Sequence, residues 1–234
     1  MPQLSVIIPV YNEAKTIRQI LEKINCVNID KEIIVVDDGS YDGTEKILKD
    51  IKYNNLKIIH HSSNRGKGAA FLTGLSHAQG EFIIIQDADL EYDPNDYLKL
   101  MEAIKENNAD IVLGARFKKS YHGLFIHRLG NRFLTVLLNL LFDLKLNDCF
   151  TCYKLFRRDT INLLNLKEQS FTIETEIVAK AAKKGLRIIE VPISYYPRPY
   201  SEGKKIRCKD GIRAIITIIK YRFFDCICQK SLST

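Results

Sequence analysis

The chain predicts an α/β protein with a mainly parallel central sheet and helices on both faces. Three observations predict it: short apolar, β-branched runs recur through the first half, each is followed by apolar residues at helical spacing, and conspicuous polar residues stand directly after the runs. Continuously apolar strands imply burial on both faces and right-handed crossovers. Ligands of such sheets bind beyond the carboxyl ends of the strands.

The elements follow in order. Leu4 to Val10 reads as the first strand, and Ile17, Ile20, Leu21 and Ile24 mark the helix after it. Glu32 to Val36 is the second strand; it runs into Asp37-Asp38-Gly39-Ser40, after which Asp42 and Thr44 start a helix with Ile47, Leu48 and Ile51 inward. Leu56 to Ile59 is the third, and the glycines of Asn64-Arg-Gly-Lys-Gly68 open a helix carrying Ala69, Leu72 and Leu75. Phe82 to Ile85 is the fourth, Asp93-Pro94 supplies the cap and first residue of a helix reaching Lys105, and Ile111 to Leu113 is the fifth strand. The second half leaves this alternation. Phe133 to Phe142 is strongly apolar yet far shorter than the ~20 residues that span a bilayer. Ile173, Ile177 and Ala181 mark a helix and Leu186 to Tyr195 a strand. In a last helix Ile212, Ile215, Ile216, Ile219 and Phe223 share one face, opposite Arg213, Thr217 and Lys220. Such a helix either packs on the core or lies on an anionic membrane surface.

A chain of 234 residues, 46% hydrophobic and 27% charged, accommodates a full core and is read as one enlarged domain. The net charge of +7 comes mostly from the second half, which should face something anionic. Nucleic acid fits poorly, because the positive residues are not interleaved with aromatics and acids crowd the expected groove. The chain opens on a strand, so neither signal nor transit peptide is expected, and a cytoplasmic location follows. Among six cysteines, Cys149-Phe-Thr-Cys152 forms the one C-x-x-C; alone it is weak support for redox or metal chemistry, and buried free thiols are expected.

The most informative segment is Gln86-Asp87-Ala88-Asp89-Leu90-Glu91, directly after the fourth strand. Carboxylates bunched at a strand's end repel one another unless a cation sits among them. Hard divalent ions take oxygen ligands and keep positions open for phosphates, so Asp87-x-Asp89 reads as a metal site for a phosphorylated substrate. An acidic helix cap is the plainer reading, but Asp93-Pro94 already fills that role. Asn12 and Glu13, Asp37 and Asp38, Asp87 and Asp89, and Arg116 all fall at carboxyl ends of expected strands, which argues for one shared site.

Taken together, Val6-Ile-Ile-Pro-Val-Tyr-Asn-Glu13, Val35-Val-Asp-Asp-Gly-Ser40 with Asp42-Gly-Thr44, Asn64-x-Gly-x-Gly68, the Asp87 segment, Gly114-Ala-Arg116 and Glu202-Gly-Lys-Lys205 resemble an inverting family 2 glycosyltransferase of GT-A fold. The branch most similar is that of dolichyl-phosphate mannose synthase and bacterial relatives that glycosylate polyprenyl phosphates. The resemblance implies a nucleotide-sugar half over residues 1–115 and an acceptor half over 116–208, followed over 209–226 by the amphipathic helix that either packs on the core or lies at a membrane interface. It implies that Pro9, Tyr11, Glu13, Asp37, Asp38, Gly68 and Lys205 bind the donor nucleotide, with Arg198 and Lys204 in the same mobile loop as Lys205. Asp89 and Glu91 would hold Mg²⁺ or Mn²⁺, although many relatives carry Gln at the Glu91 position, and Asp87 would contact the sugar. Arg116 and Arg128 would hold the acceptor phosphate, a task suited to a planar fork. An ionised phosphate needs no general base; if the acceptor were a hydroxyl, Glu174 would serve as base. GDP-mannose and UDP-glucose are both compatible donors, and tight membrane anchoring would need a separate membrane subunit or the last helix.

Overall fold

Seven strands form one sheet in the order β3-β2-β1-β4-β6-β5-β7 in a computed structural model that describes residues 1–116, 125–198 and 208–225. The strands are β1 (Leu4–Val10), β2 (Lys31–Asp37), β3 (Leu56–His60), β4 (Phe82–Ile85), β5 (Ile111–Ala115), β6 (Lys154–Arg157) and β7 (Ile188–Pro192). β1 pairs in parallel with β2 and β4, and β2 in parallel with β3, so four strands point the same way. Every residue of β4 is buried, as are all but one of the residues of β1 and of β2, which explains their unbroken apolar runs.

The helices are α1 (Ile17–Cys26), α2 (Thr44–Asp50), α3 (Lys67–Leu75), α4 (Tyr97–Glu106), α5 (Phe125–Phe142), α6 (Arg158–Leu163), α7 (Ile173–Lys183) and α8 (Cys208–Ile219). α1 buries Ile17, Ile20, Leu21 and Ile24, the stripe its spacing predicts. Before α4, Asp93 accepts a hydrogen bond from the Asn95 amide and Pro94 takes the first position of a short 3₁₀ turn, as the cap reading expects.

The structure departs from the expected alternation at β6. This strand runs antiparallel between β4 and β5, so the parallel order is interrupted and β5 finds its parallel partner in β7. Its four residues, Lys-Leu-Phe-Arg, lack alternation and include the fully buried Lys154. Nothing local in that segment announces a strand; its partners on either side define it.

The last helix also turns differently from its sequence pattern. α8 buries Ala214, Thr217 and Ile218, and the turn of π-helix after it (Lys220–Phe224) buries Tyr221. Ile212, Ile216, Ile219 and Phe223 stand exposed, with Ile215 half-buried. Thr217, expected on the outward side, faces in. α8 packs against α5, whose Leu129, Phe133, Val136 and Leu140 are likewise exposed. Among the described residues, no helix is long and apolar enough to cross a membrane.

Gly68 locks the start of α3 against the segment before α7. A Cβ there would lie 2.3 Å from the Glu168 carbonyl oxygen, inside any tolerable contact. In an ordinary helix, replacing Gly by Ala stabilises by about 1 kcal/mol. Here the clash reverses the sign: Gly68→Ala should lower unfolding free energy by roughly 1–3 kcal/mol in urea titrations, whereas a gain would show that the 168–169 backbone yields freely.

Candidate active site

Parallel strands deliver their carboxyl ends to one side of the sheet, and there a cavity of about 680 Å³ opens. Pro9, Tyr11 and Glu13 reach it from β1, Asp38 from β2, Asp87, Asp89 and Glu91 from β4, and Arg116 from β5. Glu174 enters from α7, Tyr195 and Arg198 from the segment after β7, Asn131 from α5, and Lys209, Asp210 and Arg213 from α8.

The loops that shape the cavity tie to one another through side chains. The Glu13 amide donates to Thr44 Oγ1 and the Ala14 amide to Asp42 Oδ2, while Asn12 Oδ1 accepts from the Tyr41 amide. Asp42-Gly43-Thr44 and Asn12 therefore hold the first two strand-end loops together. Asp38 accepts from the amides of Arg65 and Gly66 at 2.9 and 2.7 Å and meets His61 Nδ1 at 2.7 Å, which sets the loop entering α3. At the acidic segment, Asp89 Oδ1 accepts from the Glu91 amide across Leu90, whose φ of 64° is left-handed. For a branched residue that conformation costs about 1 kcal/mol, a strain kept where the two carboxylates must be aimed.

Charge pairing within the cavity is dense. Lys67 Nζ lies between Asp87 Oδ1 at 2.8 Å and Glu174 Oε1 at 2.7 Å, and Lys154 Nζ stands 3.8 Å from Glu174 Oε2. Burial disfavours the Lys67 ammonium, but Asp87 and Glu174 outweigh it and raise its pKa well above the ordinary value. For Asp87, burial is opposed by Lys67, and the carboxyl ends below its usual range. Asp89 behaves oppositely: burial, with repulsion from Asp87 and Glu91, pushes its pKa up to about 7. Arg198 counters this only partly, with Nη2 at 3.6 Å from Asp89 Oδ2.

Several residues singled out in the sequence occupy unexpected settings. Asp37 does not line the cavity; buried at 2% exposure, it accepts from the Ser40 amide and meets His60 Nδ1. Gly68 is likewise packed away from the cavity, where only backbone fits. Glu91 lines the wall, yet Oε1 accepts from the Arg198 amide at 2.9 Å and Oε2 from the Tyr195 hydroxyl at 2.6 Å, so its carboxylate fastens the segment after β7. Arg116 directs Nε and Nη2 to Asp148 at 2.7 and 2.8 Å, and Nη2 also donates to the Phe150 carbonyl. Its fork is thus held by an internal carboxylate of zero exposure. Lys204 and Lys205 fall outside the described residues, as does the side chain of Arg128 on α5. Lys67, Asp148 and the cavity placement of Lys209 and Arg213 are not read from the sequence; Lys67 carries a local signal, as the middle residue of the Gly-x-Gly.

Cys149 and Cys152 are free, buried thiols, and burial pushes Cys149 up to about 12 and Cys152 well above its usual value. Neither is poised as a nucleophile or a metal ligand.

The pattern of residues 5–164 matches that of Glycosyl transferase family 2. The chain belongs to that family. It is 29% identical over 197 residues to a glycosyltransferase of Haloferax volcanii, covering 83% of this chain and 63% of that protein. It is 27% identical over 242 residues to a dolichyl-phosphate β-glucosyltransferase of Trichomonas vaginalis, covering 94% and 73%. The chain therefore spans less than two thirds of the Haloferax protein's length. Among solved structures, glucosyl-3-phosphoglycerate synthase of Mycobacterium tuberculosis, in complex with Mn²⁺, UDP and phosphoglyceric acid, superposes with a TM-score of 0.71 at 17% identity, covering 96% of this chain and 80% of that one. Another structure of that enzyme holds Mg²⁺ and UDP. At such identity the likeness establishes the GT-A fold.

A divalent ion suits the residues present. No cluster of three His, Cys, Asp or Glu forms a ready cage among the described residues. Asp89, though, is an oxygen donor short of positive charge, as its raised proton affinity shows. One carboxylate plus substrate phosphates is the coordination that Mg²⁺ commonly takes.

The pKa of Asp89 has a testable sign. Because its folded value lies above the unfolded one, near 3.8, wild-type stability falls as pH rises from about 4 to about 7 and the loss is complete above that. Asp89→Asn should therefore melt higher than wild type at pH 8 in chelator, by roughly 2–4 °C per kcal/mol relieved, with the gap closing below about pH 4. A gap independent of pH would contradict the assigned repulsion.

Proposed function

We propose that the protein transfers a hexose, with inversion, from a nucleotide sugar to a polyprenyl phosphate at a membrane surface. The observation that carries this reading is the division of a single cavity. Its strand-end wall is acidic and hydrogen-bonding, and its opposite wall is built by α5 and α8, which put Asn131, Lys209 and Arg213 at the cavity and leave apolar rows exposed outside. A ligand with an anionic head and a long apolar tail fits that combination. The named activity of the Trichomonas relative supports the same acceptor class.

On this reading Pro9, Tyr11, Glu13 and Asp38 surround the donor nucleotide, with Glu13 accepting from ribose hydroxyls or base N–H groups and Asp38 fixing the loop beside them. Asp87, oriented by Lys67, addresses the sugar. Asp89 would hold Mg²⁺ or Mn²⁺, which when bound neutralises charge developing on the departing diphosphate. Arg116 presents its charge to the acceptor phosphate from a position set by Asp148, and Lys209 adds positive charge at the mouth, where Arg213 stands 3.8 Å from Asp210. The acceptor is already ionised, so attack depends on alignment and screening more than on proton removal.

Transfer to a hydroxyl, with Glu174 as base, is the other reading. The geometry weighs against it, because Lys67 holds Glu174 Oε1 at 2.7 Å and Lys154 stands 3.8 Å from Oε2, so the carboxylate is oriented by lysines of the protein itself.

Two measurements test the proposal. Asp89→Ala should abolish transfer from UDP-glucose or GDP-mannose to polyprenyl phosphate, while Glu174→Gln should reduce kcat by less than about tenfold; a loss of roughly 10²–10⁴-fold would mark Glu174 as a general base and the acceptor as a hydroxyl. Ile216→Ser with Phe223→Ser should leave the melting temperature nearly unchanged, since both side chains are exposed, yet weaken sedimentation with anionic liposomes by about tenfold or more. Wild-type protein that ignores such liposomes would remove the membrane from the account.

A further inference from the structure

The strap from Ser194 to Arg198, just after β7, lies across the acidic loop. The Ser194 amide donates to Asp96 Oδ2 at 2.6 Å, Tyr195 forms a β-bridge with Tyr92, and the Tyr196 amide donates to the Glu91 carbonyl at 2.8 Å. The Glu91 carboxylate then grips the strap twice more, through the Tyr195 hydroxyl and the Arg198 amide. At the strap's end the Arg198 guanidinium forks onto Glu13, with Nη2 to Oε1 at 2.9 Å and Nη1 to Oε2 at 3.1 Å, while Nη2 lies 3.6 Å from Asp89.

Glu13 and Asp89 come from different strand ends, and they are the two carboxylates that the donor reading assigns to the nucleoside and to the metal. A divalent ion at Asp89 would meet the guanidinium at the same carboxylate, and the two cations repel each other. We infer that Arg198 is a tethered counter-ion that occupies the donor site before substrate arrives, and that metal and nucleoside diphosphate enter by displacing it while Glu91 keeps the strap attached. This rests on the donor site proposed above and adds a switch to it. Apparent donor affinity is then reduced by the fraction of molecules with Arg198 docked, and its return after transfer helps expel the metal-bound product.

The chain contains no tryptophan, and Tyr196 on the strap is 63% exposed, so Tyr196→Trp places a single indole there, excited apart from the tyrosines at long wavelength. In that background, Mn²⁺ alone and then Mn²⁺ with UDP or GDP are titrated with and without Arg198→Gln, following free Mn²⁺ by electron paramagnetic resonance and the strap by indole fluorescence. Arg198→Gln should bind Mn²⁺ about tenfold more tightly, an ordinary size for coupling of this kind. The indole emission should shift when Mn²⁺ and nucleotide bind to the protein that retains Arg198, and should start near the shifted value in Arg198→Gln. Arg198→Lys, which keeps a tethered cation, should bind Mn²⁺ much as the parent does. Equal or weaker Mn²⁺ binding by a natively folded Arg198→Gln, judged by circular dichroism, overturns the inference, as does nucleotide binding that leaves the indole emission unchanged. Absence of nucleotide binding in both proteins overturns the donor-site reading, and this inference with it.

Discussion

The site depends on neutralising carboxylates that the fold forces together. Parallel pairing of β1, β2 and β4 brings Glu13, Asp38, Asp87, Asp89 and Glu91 to one end of the sheet, where burial makes each bare charge costly. Each is handled differently. Asp38 is consumed by backbone amides and His61, Asp87 by Lys67, and Glu13 by Arg198. Asp89 is left incompletely compensated, and its proton affinity rises accordingly. On the proposed reading, a donor diphosphate with its metal completes that balance.

Compensation comes from far along the chain, which ties the two halves into one site. Lys67 opens α3 but reaches Glu174 on α7, and Arg198 follows β7 but pairs with Glu13 after β1. Arg116, after β5, depends on Asp148, whose own amide is held by Glu190 of β7. Groups from the strand ends and groups from the later helices are thus positioned by the same elements, and the cavity lies where they meet.

Much of this was legible in the sequence, for physical reasons that are local. Ile17, Ile20, Leu21 and Ile24 announce α1 because one stripe must be buried, and β1, β2 and β4 are near-continuous apolar runs because both faces are covered. The chemistry-bearing residues could be grouped because the alternation of strand and helix dictates which end of the sheet they share. What could not be read depends on partners remote in sequence. β6 is a strand by virtue of β4 and β5, its buried Lys154 gives no apolar signature, and Asp148 looks like any loop acid until Arg116 is seen against it. The family resemblance makes Glu91 a metal ligand, yet its oxygens meet Tyr195 and Arg198, more than a hundred residues on. On α8 the apolar row was legible but its direction was not, since Ala214, Thr217 and Ile218 are less conspicuous than the isoleucines left outside.

An acidic strand-end pocket, a wall carrying Lys209, Asp210 and Arg213, and exposed apolar rows on that wall's helices make one arrangement, which suits the proposed passage of sugar from a nucleotide to an anion held at a lipid surface. The most direct test is the product. Incubation with an α-linked nucleotide sugar, Mn²⁺ and polyprenyl phosphate in anionic liposomes, followed by nuclear magnetic resonance of the extracted lipid, should show a β-linked hexosyl phosphate with one nucleoside diphosphate released per sugar transferred. An α-linked product, or a sugar attached to a hydroxyl with the lipid phosphate unsubstituted, would contradict the account.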